Sequence, residues 1–239
     1  MLELANVTKR FGALVAVNDL SFEVRQGQIF GIAGPNGAGK STVYNLITGV
    51  YNYEGSIRFR GKDLSGLKPH QIAQLGISRT FQIPQTFPSL TVEQSIEVGN
   101  RFGNRARHDI RRVDKIIDFV DLGKDRNEYT GTLNLLGKKK LMIGAALATD
   151  PGILMLDEPM AGSNAREIKA LMDLVRRING ELGITVIIIE HFMKVLTELT
   201  EELLIIESGA MICCGEPEIV TRNPRVIESY LGDAYAEGH

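Results

Sequence analysis

The sequence predicts an α/β fold whose mixed β core is interrupted by an inserted helical segment. Three observations carry this prediction. Short β-branched and apolar runs crowd the N-terminal part of the chain, and a glycine-rich loop, Gly34 to Ser41, joins one such run to a helix-like stretch. Beyond Leu141, continuous apolar runs of strand length alternate with a helical pattern.

Taken in order, Leu2 to Val7, Leu14 to Val17, Leu20 to Val24 and Gln28 to Ala33 read as strands separated by Gly and Asn. Ser41 to Thr48 is helix-like and stops at Gly49, and Gly55 to Phe59 with the Gly61-Lys62-Asp63 turn reads as a further hairpin. From Pro84 the character is helical: Thr91-Val92-Glu93-Gln94 fits a capping box, and Ile110, Val113, Ile116, Ile117 and Val120 recur at helical spacing. Ile153 to Leu156 and Ile184 to Ile189 are buried-strand runs, with Ile168, Leu171, Met172, Val175 and Ile178 forming one helix face between them. That is the strand, helix, strand unit of a parallel sheet with covered faces. One domain over 1–239 is expected, with an α/β core at 1–83 and 141–212, a helical subdomain at 84–140 and a C-terminal tail at 213–239.

Composition narrows the function classes. With 239 residues, 44% hydrophobic and 23% charged, the chain is neither disordered nor fibrous and can bury a sizeable core. Lys and Arg total 27 against 29 Asp and Glu, so no global basic excess points to nucleic acid. No apolar run approaches the roughly 18–20 residues that cross a bilayer, so no transmembrane segment of its own is expected. The N-terminus lacks the basic and apolar regions of a secretory signal, which implies a cytoplasmic location. Cys213 and Cys214 are adjacent, fit neither a disulfide framework nor a metal spacing, and read as small apolar residues of a late strand.

Gly34-Pro35-Asn36-Gly37-Ala38-Gly39-Lys40-Ser41 matches G-x-x-x-x-G-K-[ST] in the required context, after a strand and at a helix start. Glycines let backbone N–H groups turn in around phosphates, the helix N-terminus adds partial positive charge, Lys40 reaches the outer phosphates and the Ser41 hydroxyl can ligate Mg2+. Ile153 to Leu156 ends in Asp157-Glu158, which places Asp157 to hold Mg2+ and Glu158 to polarise an attacking water. His191 ends the next buried run, at the strand end where open α/β sheets bind ligands.

With these residues assembled, the chain resembles the ATP-binding subunit of ABC transporters over essentially its whole length. The resemblance implies a P-loop NTPase of the ABC type that binds ATP and Mg2+. Gly34 to Thr42 corresponds to Walker A, Leu154 to Asp157 to Walker B, Glu158 to the catalytic carboxylate, Gln82 to the Q-loop glutamine and His191 to the switch histidine. It implies nucleotide contacts from Phe11, Ala16, Asn36, Gly37, Ala38, Gly39, Lys40, Ser41 and Thr42, and Mg2+ contacts from Ser41, Gln82 and Asp157. Phe11 stands at the adenine-stacking position; a plain core aromatic is the alternative. Ser78-Arg79-Thr80-Phe81-Gln82, Leu156 to Gly162 and the tail Asn223 to Gly232 are most similar to the branched-chain amino-acid branch, although the inserted helical segment is shorter than usual there.

Two segments depart from the family pattern. In place of Leu-Ser-Gly-Gly-Gln the chain has Leu133-Asn134-Leu135-Leu136-Gly137, so Asn134 replaces Ser, Leu136 a Gly and Gly137 the Gln. Lys138, Lys139 and Lys140 follow and read as a solvated charge run, as do Arg105, Arg107, Arg111 and Arg112. Asn164 stands where many relatives have Asp. The composite site that uses this signature segment in trans is therefore expected to be weakened or degenerate, which suits a heterodimer. The resemblance implies a peripheral ATPase at the cytoplasmic face of the membrane. It would work as a homo- or heterodimer with transmembrane permease subunits to drive import of branched-chain or other amino acids. Three alternatives stay open: a nucleotide-sensing regulatory cassette, an importer subunit for another solute such as urea, and a soluble ABC ATPase acting on nucleic acid or the ribosome.

Overall fold

A computed structural model of the chain describes residues 1–103 and 111–229. The elements up to the first glycine-rich loop and its hairpin are β1 (Leu2–Phe11), β2 (Leu14–Val24), β3 (Ile29–Ala33), α1 (Lys40–Ile47), β4 (Glu54–Phe59) and β5 (Lys62–Asp63). There follow α2 (Pro69–Leu75), β6 (Ile77–Arg79), α3 (Val92–Phe102), α4 (Arg111–Phe119), α5 (Leu135–Ala148), β7 (Ile153–Asp157) and α6 (Ala165–Leu182). The last are β8 (Thr185–Ile189), α7 (Met193–Leu199), β9 (Glu202–Glu207), β10 (Ala210–Gly215) and α8 (Pro217–Val220). The chain forms two compact units, one of Met1–Pro69 with the chain from Thr185 onward, the other of His70–Ile184.

The first unit contains an antiparallel sheet in the order β2-β1-β4-β5. The two runs expected at Leu14–Val17 and Leu20–Val24 are one strand, β2, because the interruption between them is absorbed as a bulge. Asn6 and Asp19 take left-handed backbone conformations there, which short polar side chains tolerate best. Asn6 Nδ2 donates to Asp19 Oδ1 at 2.8 Å and the Asp19 N–H to Thr8 Oγ1 at 3.0 Å. In the same unit β3 lies between β8 and β9, parallel to both, and every residue of β3 and β8 is buried. This accounts for their unbroken apolar runs. Tyr44, fully buried on α1, donates its hydroxyl to the Ile187 carbonyl at 2.7 Å and so seats α1 on β8. β10 closes antiparallel on β9, with Cys213 half-buried and Cys214 exposed.

The second unit pairs β6 with β7 in parallel and packs α3, α4 and α5 on one another. Neither α2 nor β6 is evident in the sequence pattern; β6 has three residues, too few for a period of two to register. α3 begins at the expected capping box, Thr91 with Gln94. Gly99 on α3 meets α5 so closely that a Cβ there would lie 2.1 Å from the Ala145 carbonyl oxygen. α5 starts at Leu135 and runs without a break through Leu141, where the sequence pattern places the return to the core. Arg112 is not part of a solvated face: it pairs with Asp150, and its side chain is only 26% exposed. Arg105 and Arg107 lie outside the described residues. Among the described residues no helix is long and apolar enough to cross a membrane.

Candidate active site

In the first unit, the buried strand β3 delivers the chain into the loop Gly34–Gly39, and Gly39 is the N-cap of α1. Glycine is required at both ends of this loop. A Cβ on Gly34 would fall 1.9 Å from the Ile206 carbonyl oxygen and one on Gly39 2.4 Å from that of Ala16, and both backbones have positive φ. No side chain caps α1, so its first N–H groups face the loop. Lys40, 6% exposed, donates through Nζ to the carbonyls of Gly34 and Pro35 at 2.6 and 2.8 Å, which fixes its ammonium at the loop. Asn36, Gly37 and Ser41 are exposed, Thr42 is half-buried, and Ala38 is held by the Gly209 N–H donating to its carbonyl at 2.9 Å. A cavity of about 580 Å3 borders the loop and is lined also by Glu207, Ser208 and Arg225, the last a residue of the tail segment rather than of any phosphate-binding pattern.

Phe11 lies at the end of β1 and is 41% exposed, which removes the core-aromatic alternative. Tyr51 meets it edge-on at 5.1 Å between centroids, and Lys9 Nζ lies over its ring, 5.0 Å from the centroid. His191 follows β8 directly and is exposed, while the preceding Glu190 is buried and accepts the His191 backbone N–H at 3.2 Å.

In the second unit, β7 ends in two buried carboxylates, Asp157 at 6% and Glu158 at 8% exposure. The parallel register of β6 on β7 sets Arg79 opposite Met155 and brings the residues after β6 to this strand end. Gln82 Nε2 donates to Glu158 Oε2 at 2.6 Å. Arg79 donates to Asp157 Oδ2 at 3.1 Å, both side chains nearly buried, and the guanidinium stacks over Phe81 with 4.8 Å to the centroid. Thr80 Oγ1 accepts the Asp157 N–H at 3.4 Å. Arg79 and Thr80 join this strand end although no sequence motif marks them as site residues. The available signal was their adjacency to Gln82, but the pairing with Asp157 spans 78 residues and no local pattern encodes it.

The altered signature segment also lies in this unit. Asn134 is the N-cap of α5, its Oδ1 accepting the Gly137 N–H at 2.8 Å. Leu136 is half-buried and Gly137 buried. Two of the three lysines, Lys139 and Lys140, are not part of a solvated run. Lys139 is 2% exposed and donates to the Ala161 carbonyl and Ser163 Oγ, and Lys140 pairs with Asp121 at 3.0 Å. These acceptors compensate cations that would otherwise oppose the helix dipole. Asn164 caps α6, its Oδ1 accepting from the N–H groups of Arg166 and Glu167 while Glu167 accepts the Asn164 N–H, so the amide performs the capping expected of an Asp.

A strand, a glycine-rich loop closing on its own lysine, and a second buried strand ending in paired carboxylates define a P-loop nucleotide-hydrolysing protein. The ABC transporter family model matches residues 17–161, and the family model described as branched-chain amino acid ATP-binding cassette transporter matches residues 210–236. The chain is 36% identical to the high-affinity branched-chain amino acid transport ATP-binding protein BraF of Pseudomonas aeruginosa, and the alignment covers 98% of both chains. It is 33% identical to LivG of Escherichia coli at the same coverage. Among solved structures, the ADP conformation of MJ1267, an ATP-binding cassette of an ABC transporter, superposes with a TM-score of 0.88 at 31% identity, covering 97% of this chain and 98% of that one. The chain belongs to the ABC transporter ATP-binding family, a family of nucleotide-binding ATPases.

Proposed function

We propose that this ATPase energises the import of branched-chain amino acids as the peripheral, cytoplasmic-face subunit of a transporter. The membrane passage would be supplied by permease subunits and the second nucleotide site by another ATP-binding subunit. The observation that carries the catalytic half is the Gln82–Glu158 hydrogen bond, which joins the Q-loop position to the carboxylate that orients water. The amino-acid assignment rests on the two full-length relatives and on the match at residues 210–236.

In this reading Lys40 and the amides of Asn36 to Gly39 stabilise charge on the phosphates, with Ser41 and Thr42 completing the loop. Phe11 stacks on adenine beside Ala16, and His191 and Gln82 couple the outer phosphate to closure. Ser41 in the first unit offers a hydroxyl and Gln82 and Asp157 in the second an amide and a carboxylate oxygen, each a hard donor of the kind that fits Mg2+ rather than a thiophilic metal. Held by donors of this kind, Mg2+ would neutralise phosphate charge as it develops.

Asn134, Leu136 and Gly137 in the signature segment favour a heterodimer, since a partner with an ordinary signature would complete the site built on this chain's Walker motifs. The test is co-expression with adjacent permease and ATPase subunits, reconstitution in vesicles with the associated binding protein, and measurement of ATP-dependent uptake. Leucine, isoleucine or valine accumulation only with luminal access to ATP supports the proposal. Uptake of an unrelated solute, with none of these, ends it.

A further inference from the structure

The turn after Glu158 is held by a cation that the roles above do not use. Lys139 lies near the start of α5, buried to 2% exposure, and its Nζ donates to the Ala161 carbonyl and to Ser163 Oγ, the latter at 2.8 Å. Those two residues close the turn in their own right. The Ala161 N–H donates to the Glu158 carbonyl at 3.2 Å and the Ser163 N–H to that of Met160 at 3.1 Å. Glu158 itself has a φ of 47°, a left-handed conformation that a non-glycine residue keeps only where its surroundings fix it. Leu135 of the same helix also approaches this turn: a Cβ on Gly162 would stand 3.4 Å from its Cδ2.

A buried ammonium has to be hydrogen-bonded, and its bonds to a carbonyl and a hydroxyl are charge-assisted and stronger than a neutral donor would make. We propose that Lys139 is a positioning residue for Glu158: it ties α5, within two residues of the altered signature segment that opens this helix, to the turn that sets the direction of the Glu158 carboxylate. The proposal rests on the reading of Glu158 as the group that orients water. It gives Lys139 a function, since a mechanical link then runs from the signature segment, which in the dimer proposed above faces a partner's nucleotide, to this chain's own hydrolytic group.

The experiment compares Lys139→Gln, Lys139→Arg, Ser163→Ala and the Lys139→Gln/Ser163→Ala double variant in the assembled transporter. It follows kcat, KM for ATP, and ATP affinity by fluorescence titration. Misplacing a group by about 1 Å can cost about 10²-fold, so Lys139→Gln is expected to lower kcat by about that factor with KM and ATP affinity unchanged. Lys139→Arg, which keeps charge and donors, recovers part of the loss. Ser163→Ala lowers kcat less, and the double variant is no slower than Lys139→Gln, because both act through one contact. Should Lys139→Gln fail to fold, a normal kcat in Ser163→Ala overturns the proposal, as does a Lys139→Gln enzyme with native kcat or with a loss confined to thermal stability or KM. Glu158→Gln in the otherwise native chain separates the two ideas. Turnover surviving there removes the reading of Glu158, whereas a dead Glu158→Gln beside an active Lys139→Gln removes only the positioning role.

Discussion

Gln82 and Glu158, 76 residues apart in sequence, share a hydrogen bond of 2.6 Å from Nε2 to Oε2. The contact exists because β6 and β7 run parallel in register and each hands its next residues to the same end. A neutral amide donating to one carboxylate oxygen orients the group without setting an opposing charge beside it, which suits the role proposed for Glu158. Any displacement of the segment that follows Gln82 therefore also changes what the Glu158 carboxylate faces.

Glu158→Gln is expected to retain ATP binding and to lose steady-state hydrolysis by about 10²–10⁴-fold, the range for removing a positioned general base. The amide is isosteric, so equilibrium binding of ATP and the thermal transition should stay close to native. Phosphate release measured beside nucleotide titration checks this, and unchanged turnover would refute the role of Glu158.

Arg79 and Asp157 form an ion pair whose side chains are 12% and 7% exposed. Removing one partner of a buried pair leaves an uncompensated charge and costs about 3–5 kcal/mol. Arg79→Ala should lower the urea midpoint accordingly in Mg2+-free buffer, and Arg79→Lys should lower it less, since a point charge keeps the attraction without the planar fork. A loss under about 1 kcal/mol would place the pair with ordinary surface salt bridges.

What the sequence disclosed and what it withheld divide by range. The loop from Gly34 to Ser41 and the Asp157-Glu158 strand end are each contiguous, so the strand, loop and helix that carry them are legible in a local pattern. Arg79 is not, because its partner lies beyond any local window. The burial of Lys139 is hidden from a local pattern for a related reason. Residues all around α5 are buried, among them Gly137, Leu141, Ile143, Gly144 and Leu147, so no polar face stands out, and a lysine there has the outward look of a solvated one. Only the fold, by bringing Ala161 and Ser163 to it, gives it partners.

Phe11 offers an exposed ring face supported edge-on by Tyr51. Aromatic stacking contributes about 0.5–1.5 kcal/mol beyond area burial, so Phe11→Ala should weaken ATP binding by roughly 2- to 10-fold. Phe11→Tyr should leave it near native. Because the side chain is far from the phosphates in its proposed role, kcat at saturating ATP should not move; a kcat defect with native affinity would contradict adenine stacking.

Arg126 reaches both Glu93 on α3 and Asp114 on α4, stapling the turn at Gly123–Asp125 to two helices. The guanidinium beside Glu93 holds that carboxyl below its ordinary value of 4.5. A depressed folded pKa contributes stability that is present above 4.5 and is lost as pH falls through the folded value. Solvent screens this pair, so the expected effect is local rather than global. Amide exchange of residues 123–130 should accelerate relative to the rest of the second unit as pH drops below that point, and Glu93→Gln should flatten the difference. A uniform profile in the native chain would remove the staple.

Asn134 satisfies the first turn of α5 by accepting the Gly137 N–H, a task serine performs about equally well. Asn134→Ser therefore restores a signature hydroxyl at little cost to the helix, and Leu136→Gly restores close backbone approach for about 1 kcal/mol of helix stability. If the trans half of the composite site is what limits this chain alone, the double variant should raise ATP hydrolysis by the isolated, concentrated chain about 10-fold or more, since one donor to developing phosphate charge is worth at least that. The gain should depend on the square of protein concentration below the dimer dissociation constant, because both sites then form from two copies. With an ordinary partner ATPase present the same substitutions should matter far less, as the site on this chain's Walker motifs already faces an intact signature. Vigorous hydrolysis by the unaltered chain alone would show that Asn134 and Leu136 support a working site, and the case for a heterodimer would lose its physical basis.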